Sequence, residues 1–107
     1  MSTGITNGNA FGIHILSSTL DPAAVSAATS AEQTFTVAGL KVGDTVFVNK
    51  PTATAGVGIV NARVSAADTL ALTFMNATAG SVNPASESYI IIVLRPESGV
   101  AKTVISD

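Results

Sequence analysis

Through most of the chain apolar and polar side chains alternate, and β-branched and small residues fill the apolar positions. A period of two is the signature of a strand with one buried face. "FGIHILSST" puts Phe11, Ile13 and Ile15 on one face and His14 and Leu16 on the other. "TFTVAG" turns Phe35 and Val37 inward, and "TVFVNKP" sets Val46 and Val48 opposite Phe47 before Pro51 ends the ladder for want of a donor. "GVGIVNARVS" supplies another strand, with Gly56 and Gly58 marking a kink or a close backbone approach. "TLALTFMN" separates Leu70, Leu72 and Phe74 from Thr69, Ala71, Thr73 and Met75.

One stretch does not alternate. In "YIIIVLRP" apolar positions follow one another from Tyr89 to Leu94, so Tyr89, Ile91 and Val93 point one way and Ile90, Ile92 and Leu94 the other. One set fills the domain's own core, and the other needs a second cover. A neighbouring subunit, the N-terminal arm or the last strand can provide it. A neighbouring subunit is the expectation here, with Ile90, Ile92 and Leu94 in a homo-oligomer interface. Arg63 and Arg95 join them because arginine is enriched at interfaces. On the same expectation Ile91→Asp stops assembly.

Turn residues divide the strands: Asp21-Pro22, and Gly43 free to take positive φ before Asp44. Residues 21–31 are open between a short helical turn and an edge strand, and "GVAKTVISD" offers a last edge strand. The resulting expectation is an all-β, antiparallel two-sheet β-sandwich or jelly roll of about seven to eight short strands. Residues 1–10, polar with a single isoleucine, read as an arm, and 11–107 as one domain. Thr3, Ile5, Asn7, Asn9 and Phe11 are the arm's expected contact residues.

Composition narrows the function. Charged residues make up only 11% of 107, and the mean hydropathy is well above zero, so part of the surface is expected to meet protein. No apolar run approaches the length of about 18 residues that a membrane helix needs. The first residues lack a basic segment followed by an apolar block, so folding in the cytoplasm is expected. Five Lys and Arg against seven Asp and Glu leave no basic field for a nucleic acid backbone.

The chemistry-bearing residues are sparse. His14 is the one histidine and there is no cysteine, so neither a His-based triad nor a metal site has its parts. Asp21, Asp44 and Asp68 stand at turns, where short carboxylates cap backbone N–H groups, and no D-x-D run is present for calcium. The glycines spell no phosphate-binding loop. Asn76-Ala77-Thr78 matches the N-glycosylation tripeptide without a secretory leader to make use of it. No enzyme, cofactor or metal is expected.

The runs "TFTVAGLKVGD", "GIVNARVSAADTLALTF" and "VNPASESY", within roughly residues 26–96, resemble small structural proteins of tailed-bacteriophage virions: capsid decoration (cement) proteins and head-fibre modules. The resemblance implies a β-sandwich or jelly roll without catalysis, assembled as a homotrimer on the virion, with the major capsid protein as partner. The function it implies is stabilisation of the capsid shell. A head-fibre or tail-fibre module that binds a host surface is the alternative, and it requires a polar or aromatic recognition face on the loops.

Overall fold

The computed structural model describes residues 10–104. They form six strands: β1 (Ala10–Leu20), β2 (Thr29–Thr36), β3 (Thr45–Asn49), β4 (Val57–Ala66), β5 (Thr69–Asn76) and β6 (Glu87–Pro96). Every pairing is antiparallel, in two three-stranded sheets of order β1-β6-β3 and β2-β5-β4. No helix occurs among the described residues.

The chain changes sheet at each connection except β4 to β5. There Ala67 and Asp68 turn the hairpin, with Asp68 left-handed at φ 59° and a register slip between Val64 and Ala66. A short polar side chain tolerates that conformation. Asp68 also stitches this turn to the β2–β3 loop: its Oδ1 accepts the Gly39 N–H at 2.7 Å, and its own N–H donates to the Leu40 carbonyl at 2.9 Å. Gly43 takes φ +104°, and a Cβ there would collide with the Gly99 carbonyl oxygen, so position and partner both require glycine.

The most apolar strands, β5 and β6, are the central strands of their sheets. Leu70, Leu72 and Phe74 from β5 and Tyr89, Ile91 and Val93 from β6 are all at most 2% exposed. Leu20, Val25, Val37, Leu40 and Val46 complete one cluster, so the two sheets share a single core. Each such side chain contributes about 1.5–3 kcal/mol by leaving water.

Six strands, and not seven or eight, is the first correction to the sequence reading. Residues 23–28 form neither a helix nor a ladder strand. The Gln33 side chain takes the place of a partner strand, accepting from Ala23 N–H at 2.7 Å and donating to its carbonyl at 3.0 Å, while Val25 is buried and forms a lone bridge with Val82. At the other end, Pro96 closes β6 and a turn through Gly99 follows. Both edges of β6 are already occupied by β1 and β3, and residues 97–104 join no sheet.

Asn76 is buried completely, and its amide holds the β5–β6 loop. Nδ2 donates to the carbonyls of Val25 and Gly80, both at 2.9 Å, and Oδ1 accepts from the Thr78 N–H and hydroxyl at 2.9 and 2.7 Å. The glycosylation-like tripeptide is thus a structural turn whose amide is already in use.

Ile91, expected to act in assembly, has no exposure and packs in the domain's own core. Ile91→Asp is therefore expected to prevent folding rather than assembly, because it buries an unpaired carboxylate and removes apolar contacts. A loss above about 4 kcal/mol is expected, of the kind core charges cause. Urea unfolding followed by circular dichroism measures it, and a folded Ile91→Asp protein of near wild-type stability would refute this placement.

Candidate functional site

Strand alternation gives the β1-β6-β3 sheet an outer face as well as an inner one. Registers align three rows across that face: Ile13, Leu94 and Thr45; Ile15, Ile92 and Phe47; and Ser17, Ile90 and Asn49. Ile13, Ile15 and Phe47 are 63%, 71% and 56% exposed, and Ile92 at the centre is 37% exposed. None of these residues carries a charge. Phe11, at the β1 bulge, is also exposed.

The outer face of the second sheet has a different chemistry. Its rows run Thr36 to Thr69, Thr34 to Ala71 to Arg63, Glu32 to Thr73 to Asn61, and Ser30 to Met75 to Gly58, with the Met75 side chain exposed. Arg63 and Glu32, on the flanking strands, form a two-pronged ion pair across β5 with both contacts at 2.8 Å. One outer face of the domain is uncharged and mostly apolar, and the other carries an ion pair and threonines beside the exposed Met75.

The charges of β6 lie on its inner row. Glu87, Tyr89, Ile91, Val93 and Arg95 share one side of the strand, so the ends of the core are closed by ion pairs. At one end Lys50 Nζ lies 2.7 Å from Glu87 Oε2, while the Thr52 hydroxyl donates to Oε1 at 2.6 Å. At the other end Arg95 donates through Nε and Nη2 to both oxygens of Asp44, at 2.8 and 2.7 Å, and through Nη2 to the Gly39 carbonyl at 2.8 Å. Bidentate geometry of this kind is the strong form of the interaction.

Ile90, Ile92 and Leu94 come together on the apolar face, as the sequence expects them to share a face. Arg95 and Arg63 do not join them. Arg95 lies on the opposite side of β6 and is spent on Asp44, and Arg63 stands on the other sheet, paired with Glu32. Of the arm residues, Phe11 belongs to β1, whereas Thr3, Ile5, Asn7 and Asn9 lie outside the described residues. Ile13, Ile15 and Phe47 are the face residues that sequence reasoning left out. Their signal was the shared parity of Phe11, Ile13 and Ile15 in β1, which becomes meaningful only once β1 is known to pair with β6.

His14 is exposed on the edge strand β1 and lines an open groove with Leu16, Ala38, Gly39, Leu40, Val93 and Arg95. Its volume of about 220 Å³ is below that of ordinary small-molecule sites. Among the described residues no three His, Asp or Glu side chains gather to hold a metal ion.

The inner ion pairs impose a pH dependence. The Arg95 guanidinium, and then the Lys41 N–H, hold the Asp44 carboxyl below its usual range against the opposing effect of burial. A carboxyl depressed in the folded state stabilises above its unfolded pKa and loses that stabilisation as pH falls through the folded value. Stability is thus expected to decline below about pH 4, the ordinary carboxylate range. In Asp44→Asn the decline is expected to be shallower and the stability at pH 7 lower, as urea titrations from pH 7 to 2 would report. Parallel curves for the two proteins would contradict it.

The Tyr89 hydroxyl is buried without a hydrogen-bond partner among the described residues, and burial, helped by the Glu87 charge, pushes its pKa up to about 12. The folded chain keeps this proton where the unfolded chain loses it, so stability falls as pH rises above about 10. Tyr89→Phe is expected to be as stable as wild type at pH 7, within about 0.5 kcal/mol, because it deletes an unpaired polar group. It is also expected to lose less stability above pH 10. A loss beyond about 1 kcal/mol at pH 7, the value of a typical hydrogen bond, would show that the hydroxyl is bonded.

Comparison of the chain with protein-family models, with curated proteins and with solved structures finds no match in any of the three.

Proposed function

We propose that this chain is a structural protein of a tailed-bacteriophage virion. In this reading it is a capsid decoration protein whose two sheets form a β-sandwich and which acts as a homotrimer on the capsid surface after assembly in the host cytoplasm. It has no catalytic role. It stabilises the shell by contact with the major capsid protein and with its own copies.

The observation that carries the proposal is the contrast between the two outer faces. Ile13, Ile15, Phe47 and Ile92 form an uncharged apolar face, while the opposite face carries the Arg63–Glu32 pair among threonines, with Met75 as its exposed apolar side chain on β5. Large apolar side chains gathered on one uncharged sheet face are the kind of patch that marks a protein contact. A domain with such a face suits a layer, with protein on one side and solvent on the other. The virion assignment itself rests on the resemblance of the "TFTVAGLKVGD", "GIVNARVSAADTLALTF" and "VNPASESY" runs. Many modest contacts repeated over a shell add up by avidity to resist internal pressure.

Cosedimentation with expanded capsids that lack the protein tests the proposal. Saturable pelleting with capsids, accompanied by a higher disruption temperature of the shell, is the expected result. Pelleting with host cells and not with capsids would replace decoration with the fibre-adhesion reading. Pelleting with neither would dismiss both.

A further inference from the structure

We infer that the free edge of β1 is a docking site for the chain's own first residues, which turn back at Asn7-Gly8 and pair along it. The inference goes beyond the virion reading and does not depend on it.

β1 leaves half of its backbone hydrogen-bonding groups without a ladder. It stands at the end of the order β1-β6-β3, so β6 takes one of its edges. The alternate N–H and C=O groups on the other edge meet no backbone partner among the described residues. What such a row recognises is an extended segment that offers a matching row of its own.

The remaining sheet edges are shorter or interrupted. β3 has five residues and is soon followed by Pro51, β2 has eight and carries Glu32, and the pairing of β4 slips between Ile59 and Asn61 and again between Val64 and Ala66. Short strands, charges, prolines and bulges are the features that discourage a further strand. β1 has eleven residues, with no proline and no Lys, Arg, Asp or Glu, and its register to β6 runs unbroken from Gly12 to Leu20.

The sequence names the occupant. In "STGITNGNAFGI" an Asn-Gly pair separates Ile5 and Thr6 from the start of β1. Two extended runs divided by Asn-Gly read as a hairpin, because the type I′ turn takes positive φ at both central residues and its twist matches that of the strands. A two-residue turn also fixes the register, setting Thr6 opposite Asn9, Gly4 opposite Phe11, Thr3 opposite Gly12 and Ser2 opposite Ile13. The six residues before Asn7 are enough to run alongside β1 as far as His14. An isolated hairpin is marginal in water, but β1 is already held by β6, so only one new strand has to be ordered. The added strand borders the groove that His14 and Leu16 line, at the flank where β1 has no neighbour.

Amide hydrogen exchange followed by NMR tests the inference on the whole chain. The β1 N–H groups that point toward β6 are protected whether or not the edge is occupied, and they report that the domain is folded. Those that point away are expected to be protected in the wild type and to exchange about tenfold faster or more in Gly8→Val, because local opening sets the rate and a β-branched residue resists positive φ. Asn7→Gly is expected to keep the protection, since Gly-Gly makes the same turn. Unprotected outward N–H groups in the wild type, or equal protection in a folded Gly8→Val protein, overturns the inference. Protection that appears only at high protein concentration overturns it as well, by placing a strand of another chain on this edge.

Discussion

Everything in this domain is arranged around β6, a central strand apolar on both sides. A strand buried on one face and paired along both edges has nowhere to put its second set of side chains except on the sheet's outer surface. β1 and β3 occupy the two edges of β6, and its inner row joins the buried side chains of β5 in one core. The outer set, Ile90, Ile92 and Leu94, is thereby committed to a surface that β1 and β3 extend with Ile13, Ile15 and Phe47 instead of relieving with charge.

The placement of charge follows from the same constraint. Glu87 and Arg95 bracket the inner row of β6, and each is neutralised by a residue from a loop or strand end: Lys50 after β3, and Asp44 before it. The β2–β3 and β3–β4 segments are tied down in this way at opposite ends of the core. The Gly39 carbonyl and N–H, taken by Arg95 and by Asp68, join the two sheets at the Asp44 end. The cost of desolvating these groups is offset by bidentate geometry and by the additional backbone hydrogen bonds around Asp44. Six short strands with a single hairpin among them are held as one unit by these ties as much as by the apolar core.

Much of this was legible in the chain. The alternating segments at 11–19, 45–49, 57–65 and 69–76 are strands within a residue or two, because a two-residue period is local information. The turn roles of Asp44 and Asp68 were legible too, since a short carboxylate beside glycine or at a chain reversal caps nearby N–H groups wherever it occurs. Residues 21–31 were not legible. Residues 29–31 open β2, and what holds the segment before them is the Gln33 amide on Ala23 and the insertion of Val25 opposite Val82, neither of which leaves a periodic trace. The partners of Arg63 and Arg95 were hidden for a related reason: Glu32 and Asp44 lie 31 and 51 residues away, and sequence shows no distance in space.

The chain by itself determined that β6 has two apolar faces and that Ile90, Ile92 and Leu94 share one of them, because successive side chains of a strand must point to opposite sides. It did not determine which set turns inward. Taken alone, Glu87 and Arg95 argue that the odd-numbered row faces water, and that would place Ile91 outside. Only the tertiary structure reverses this. Lys50 and Asp44, brought to the two ends of the strand by the fold, neutralise those charges at the margins of the core, so Ile91 is buried and Ile92 is left on the surface.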